Sequence, residues 1–175
     1  MRKPRKLAHG AIYHVTARAN RGELILNSPK IKNLFIKIIK RSKKKYNFAL
    51  TTFCVMGNHI HLMIQPHKKE SLSRIMQWIL ATFAINYNNI FNLLGHVWYD
   101  RFHSTIISCF RQYIRTFEYI AENPVKAEIV KDTRMYEFGG IWYLQKGLYE
   151  ILEPPDLLLK LLFPQQCLKQ LLPIK

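Results

Sequence analysis

The sequence predicts an α+β fold in which helices cover an antiparallel sheet. Three observations carry this expectation. Short β-branched and aromatic runs alternate with longer runs of apolar residues at helical spacing. Two of the short runs flank a Gly-Asn dipeptide, and the order along the chain is strand, helix, hairpin, helix, strand, helix. The first strand is AIYHVTARA, Ala11 to Ala19. The next segment, SPKIKNLFIKIIKRSKKKY, offers Ser28 as N-cap and Pro29 at the first helical position. Ile31, Leu34, Phe35, Ile38 and Ile39 then mark one buried helical face, with Lys30, Lys37, Lys40, Arg41 and Lys44 on the opposite side. That basic stripe reads either as a solvated face or as a phosphate-contacting surface.

FALTTFCVM and HIHLMIQ flank Gly57-Asn58, a dipeptide suited to positive φ in a hairpin turn. Leu72, Ile75, Met76, Ile79, Leu80, Phe83, Ala84 and Tyr87 predict an amphipathic helix ending near Asn89. A last strand follows over Arg101 to Cys109. A final helix is expected from about Arg111, stopping before Pro124, because proline disfavours helical geometry in its predecessor and lacks the ladder donor. Beyond Gly139-Gly140 the pattern degrades. Residues 1–150 are therefore expected as one domain, and the leucine-rich tail 151–175 is expected to pack back on it or on a partner.

Composition narrows the partners. Of 175 residues 49% are hydrophobic, with three Trp, nine Tyr and ten Phe, enough for a real core and too many for a disordered chain. The formal charge of +16 predicts a polyanionic partner, nucleic acid first and an anionic membrane surface second. Cys54, Cys109 and Cys167 form no CxxC and predict reduced thiols rather than a disulfide framework. No run approaches the roughly 18 apolar residues of a membrane span. The basic N-terminus lacks the apolar segment of a secretory signal.

Chemistry concentrates in two stretches. In GNHIHLMI, strand alternation puts Ile60, Leu62 and Ile64 on the core face, and His59 and His61 on the other with Met63 and Gln65. Two imidazoles side by side on a non-core face suit either a metal or surface hydrogen bonds. In FEYIAENPVKA, the core stripe is Tyr113, Ile114, Phe117, Ile120 and Ala121. Tyr119 and Asn123 are i, i+4 neighbours well off that stripe. The Asn123 amide oxygen is a possible metal ligand, and Glu122 competes as ligand or acid/base group. His14, Gln65, His96 and His103 are further candidate ligands with a structural role as the plainer alternative; His9 and His67 are expected to be exposed. Trp98 and Tyr99, just ahead of Arg101, either stack on an unpaired base or pack in the core. Arg2, Lys3, Arg5 and Lys6 form a basic arm suited to a hairpin groove.

GNHIHLMI followed by YIAENPVKA resembles the HUH single-tyrosine transposases, specifically the REP-associated tyrosine transposases. HGAIYHVTARANRGELIL and HVWYDRFHSTII resemble the same branch, so the likeness spans residues 4 to 140 or so. It implies that His59 and His61 are metal ligands, Tyr119 the nucleophile and Asn123 the third ligand. Other single-tyrosine transposases carry Gln at that last place, one methylene longer. The resemblance further implies a ferredoxin-like sheet and a Mg²⁺- or Mn²⁺-dependent endonuclease and strand transferase. Its expected substrate is single-stranded DNA at hairpins or palindromic repeats, cut through a 5′-phosphotyrosine. Such a protein is expected at the nucleoid in a bacterial cytoplasm, as a homodimer or a monomer. Lys37, Arg41, Lys44 and Arg101 join the N-terminal arm as candidate DNA contacts. The alternatives are a catalytically inactive hairpin-binding protein of the same fold, and a hydrolase that uses water and survives loss of Tyr119.

Overall fold

The computed structural model describes Ala8 and residues 10–67 and 69–154. The arm carrying Arg2, Lys3, Arg5 and Lys6, and most of the leucine-rich tail, lie outside the described residues. Strands β1 (Ile12–Arg18), β2 (Phe48–Val55), β3 (His59–Pro66) and β4 (His103–Ile107) form one antiparallel sheet in the order β2-β3-β1-β4. Helix α1 (Pro29–Lys45) joins β1 to β2, and α2 (Leu72–Phe91) joins β3 to β4. This βαββαβ connectivity is the ferredoxin-like arrangement. Helices α3 (Phe110–Lys126) and α4 (Gly140–Gln145) follow. No described helix is long and apolar enough to cross a membrane.

Alternation in β1 sorts the two faces of the sheet. Tyr13, Val15 and Ala17 are buried, whereas Ile12, His14 and Thr16 between them are half-buried. Helices α1 and α2 close the first face. The Ser28 hydroxyl caps α1 by accepting from the Ile31 amide at 3.3 Å. Ile31, Phe35, Ile38 and Ile39 are buried as the spacing predicts, Leu34 is half-buried, and Ile36 and Lys32 widen the stripe. Phe35 and Phe83 meet edge to face at 5.4 Å, and the Trp98 ring packs 5.3 Å from Phe83. The Trp98 indole N–H donates to the Leu80 carbonyl at 3.0 Å. Trp98 is therefore half-buried against the core, whereas its neighbour Tyr99 is 72% exposed. Helix α2 continues two residues past Asn89 and ends at Asn92, whose φ of 51° is left-handed.

The structure departs from the sequence reading in three places. The face carrying His59 and His61 is not open: α3 packs against β2 and β3, and Met63 and His61 are 0% and 4% exposed. Helix α3 runs through Pro124 rather than stopping before it. The proline sits two residues from the helix end, so only one ladder bond is lost, and its ring is buried. The β2–β3 turn uses no positive φ at Gly57 or Asn58. Neighbouring backbone holds it from outside: Leu26 N–H donates to the Gly57 carbonyl at 2.9 Å and Ala19 N–H to the Asn58 carbonyl at 2.8 Å. The turn also runs close to Leu24, whose exposed side chain would stand 3.1 Å from a Cβ at position 57.

The chain after α3 closes the outer edge of β2, which would otherwise be an unpaired strand. Val55 N–H donates to Phe138, Glu153 N–H donates to Leu50, and the Tyr136 hydroxyl donates to the Val55 carbonyl at 2.6 Å. Gly140 lies so close to β2 that a Cβ would meet the Thr52 hydroxyl at 2.3 Å. Ile151 and Leu152 are buried in the core.

Candidate active site

The strand register builds the site. On the α3 face His61 lies opposite Thr16, which lies opposite His103, and His59 lies opposite Arg18. Helix α3 presents Tyr119 to this row because Phe117 and Ile120, its deepest anchors, are 1% and 0% exposed. The Tyr119 ring stands 5.5 Å from His61 and 5.8 Å from His14, edge-on to both. His59 and His61 are themselves 4.9 Å apart. Tyr119 remains 43% exposed, so it borders the histidines without being enclosed by them.

Hydrogen bonds orient the candidate ligands. The Asn58 amide nitrogen donates to the Gly22 carbonyl at 3.2 Å, which turns its oxygen to His59 Nδ1 at 2.7 Å. An amide oxygen only accepts, so His59 carries its proton on Nδ1 and keeps a lone pair on Nε2. His61 Nδ1 is 3.0 Å from His14 Nε2, and His61 Nε2 is buried with no hydrogen-bond partner. Burial, then His59 and His14, pulls the His61 imidazole down to about 3. Burial also lowers His14, helped by His103, and His59, helped by the Arg18 guanidinium. All three rings are thus neutral near pH 7, the form that can ligate a metal.

Asn123 donates its amide N–H to the Tyr119 carbonyl at 2.7 Å, which leaves its amide oxygen as the free end. Its rival Glu122 pairs with Lys126 at 2.8 Å, and the Lys126 amine sits 5.5 Å from the centre of the Tyr119 ring. Among the described residues no three His, Cys, Asp or Glu side chains are grouped to hold a metal ion. A metal here would therefore rest on two imidazoles plus an amide, water or phosphate oxygen, an open donor set rather than a closed structural zinc site. The orphaned Nε2 of His61 fits that use.

Apart from His103, which stays in the row opposite Thr16, the other candidates scatter. Gln65 donates to the Gly10 carbonyl at 2.7 Å and is held structurally. His67, His96 and His103 are exposed. Arg101 lines an open cleft of about 650 Å³ with Tyr99 and α2. Lys37, Arg41 and Lys44 are exposed on α1, which covers the sheet face away from Tyr119, and the Arg41 guanidinium lies 5.8 Å over Trp78. Asn58, Arg18 and Lys126 join the site unforeseen. Asn58 had a local signal in standing next to His59; Arg18 had none, because nothing local says which strand pairs with β3.

The fold is thus a four-stranded βαββαβ sheet that carries a His-x-His strand, with the helix bearing Tyr119 laid across it. The chain belongs to the IS200-like transposases, whose family profile matches residues 8–123, more than half of its length. Its structure is similar to that of a REP-associated tyrosine transposase bound to a REP hairpin, with a TM-score of 0.71 and 23% identity over 89% of this chain and 93% of that one. A candidate transposase from Deinococcus radiodurans R1 is similar over 69% of this chain and 95% of its own, with a TM-score of 0.50 and 15% identity. Both likenesses are of fold. No curated protein sequence matches significantly.

Proposed function

We propose that the protein is a metal-dependent nickase and strand transferase for single-stranded DNA beside hairpins or palindromic repeats. The observation that carries the reading is the Tyr119 ring edge-on against His61, on the sheet face shared with His59. His59 and His61 through Nε2, and Asn123 through its amide oxygen, would hold Mg²⁺ or Mn²⁺. When bound, that ion polarises the scissile phosphate and eases charge on the leaving oxygen. Tyr119 attacks the phosphorus: the phenol oxygen–phosphorus bond forms, the phosphorus–O3′ bond breaks, the phenol gives up its proton and the 3′ oxygen takes one up. The products are a 5′-phosphotyrosine and a 3′-OH, and the reverse step rejoins DNA without ATP. Lys126 and Arg18 place positive charge beside the ring and beside His59, where phosphate oxygens would lie.

A hairpin substrate is supported by the REP hairpin bound in the similar structure. The +16 charge supports a nucleic-acid partner, with Arg101, the α1 lysines and the N-terminal arm as candidate phosphate contacts. Such a protein would work at the nucleoid, as a monomer or a homodimer. The test is incubation with end-labelled hairpin DNA bearing a single-stranded flank, with and without Mn²⁺. A covalent protein–DNA adduct that needs the metal is expected. Tight hairpin binding with no adduct would favour the inactive binding protein, and cleavage without an adduct would favour a hydrolase.

A further inference from the structure

Strand β1 contributes a side chain that the proposed chemistry leaves idle. His14 is half-buried and diagonal to His61: its register partner on β3 is Met63, and that of His61 is Thr16. The two rings lie edge to edge, with centroids 5.3 Å apart and planes 18° apart, and His14 Nε2 lies 3.0 Å from His61 Nδ1. Between two neutral imidazoles such a contact holds one proton, and there are two ways to place it.

If the proton belongs to His14, His61 must carry its own on Nε2. That N–H would then be a buried donor with no acceptor, since His61 Nε2 has no partner. If it belongs to His61 Nδ1, Nε2 presents a lone pair, and His14 keeps its N–H on Nδ1, which is not among the buried unpartnered atoms. The second arrangement leaves no donor stranded. It also matches the neighbouring histidine, where the Asn58 oxygen at 2.7 Å forces the same tautomer on His59.

We propose that His14 is a positioning residue: it accepts the Nδ1–H of His61, fixing that ring and its tautomer so that Nε2 is the ligand atom. His14 acts through His61 and is not itself a ligand, because its Nε2 is already engaged. The role depends on the metal site proposed above.

Two measurements test it. In metal-free protein labelled with ¹⁵N-histidine, two-bond proton–nitrogen NMR separates protonated from bare ring nitrogens. His61 is expected to be protonated on Nδ1 and bare on Nε2. Mn²⁺ affinity, read by calorimetry, is then compared in His14→Leu and His14→Gln. Loss of the acceptor should weaken binding by about 10- to 100-fold, the usual effect of removing a ligand's orienting partner. The glutamine, whose amide oxygen accepts in the same place, should restore most of it, and the unfolding midpoints of both variants are checked alongside. A proton on His61 Nε2 in the unaltered protein would overturn the assignment, as would unchanged Mn²⁺ affinity in a folded His14→Leu. Failure of the unaltered protein to bind Mn²⁺ would remove the metal site itself and this role with it; the metal-free tautomer tells that case from the others.

Discussion

Under α1 and α2, Tyr13, Val15 and Ala17 of β1 lie opposite Ile64, Leu62 and Ile60 of β3, all six buried and none charged. On the other face the same two strands carry His14, Thr16 and Arg18 against Met63, His61 and His59. The strands are the same two, and the difference comes from the side chains that alternation sends to each face and from what covers them. Two helices seal the first face. On the second, α3 packs mainly over β2 and reaches β3 and β4 more lightly, and His103 and Thr105 of β4 stay exposed. The histidines and Tyr119 gather where coverage thins. There the imidazoles are dry enough to stay neutral, while Tyr119 stays open to solvent. A fully open face would let the histidines titrate near 6.5, and a fully closed one would shut the tyrosine in.

Substitutions on the two faces should therefore fail in different ways. The largest effect on function is expected at the histidines. His59→Ala should reduce Mn²⁺-dependent cleavage below detection while stability moves by no more than about 1 kcal/mol, because the residue is only half-buried. Full cleavage by His59→Ala at limiting Mn²⁺ would mean the ligands are elsewhere. The reverse is expected at Phe83, 0% exposed on the sealed side. Phe83→Ala should lose about 3–5 kcal/mol of stability to the cavity, read by chemical denaturation. The folded fraction should bind Mn²⁺ as before, and a loss of affinity matching that of His59→Ala would contradict the division.

Much of this division was legible in the sequence, and the limits have physical causes. Ser28, Pro29 and the apolar spacing of α1 depend only on neighbours within two turns, and they read correctly. The register of Tyr119 against Phe117 and Ile120 was equally local. The burial of His61 was not, because the cover comes from α3, far along the chain. Nor was the His14 contact, which needs β1 and β3 to be paired in one particular register. Pro124 misled for the opposite reason: the local rule is sound for a helix interior but weak in the last turn. The basic stripe of α1 was visible as a stripe, but its placement away from Tyr119 is a property of the fold.

A smaller effect separates the faces by pH. His61 is held at about 3 in the folded chain against an ordinary 6.5. The unfolded chain therefore takes up this proton first. The associated stability is present above pH 6.5 and declines as pH falls from there towards 3. The groups facing His61 are His14, His59 and Tyr119, with Arg18 behind His59, and none supplies an anion to offset the charge. Metal-free protein should lose stability across that window, and His61→Asn should flatten the slope. Phe83→Ala should lower the curve without changing its slope. A slope that His61→Asn leaves untouched would contradict the assignment of the depressed group.

The central claim is that Tyr119, on the half-covered face, is the nucleophile. Tyr113 is the natural rival on the same helix, but it packs against the core. Both Tyr→Phe variants should fold and bind Mn²⁺ and hairpin DNA like the unaltered protein, since each loses one oxygen. With labelled hairpin DNA and Mn²⁺, the covalent adduct should vanish in Tyr119→Phe and persist in Tyr113→Phe. An adduct that persists in Tyr119→Phe, or that disappears only in Tyr113→Phe, would contradict the account.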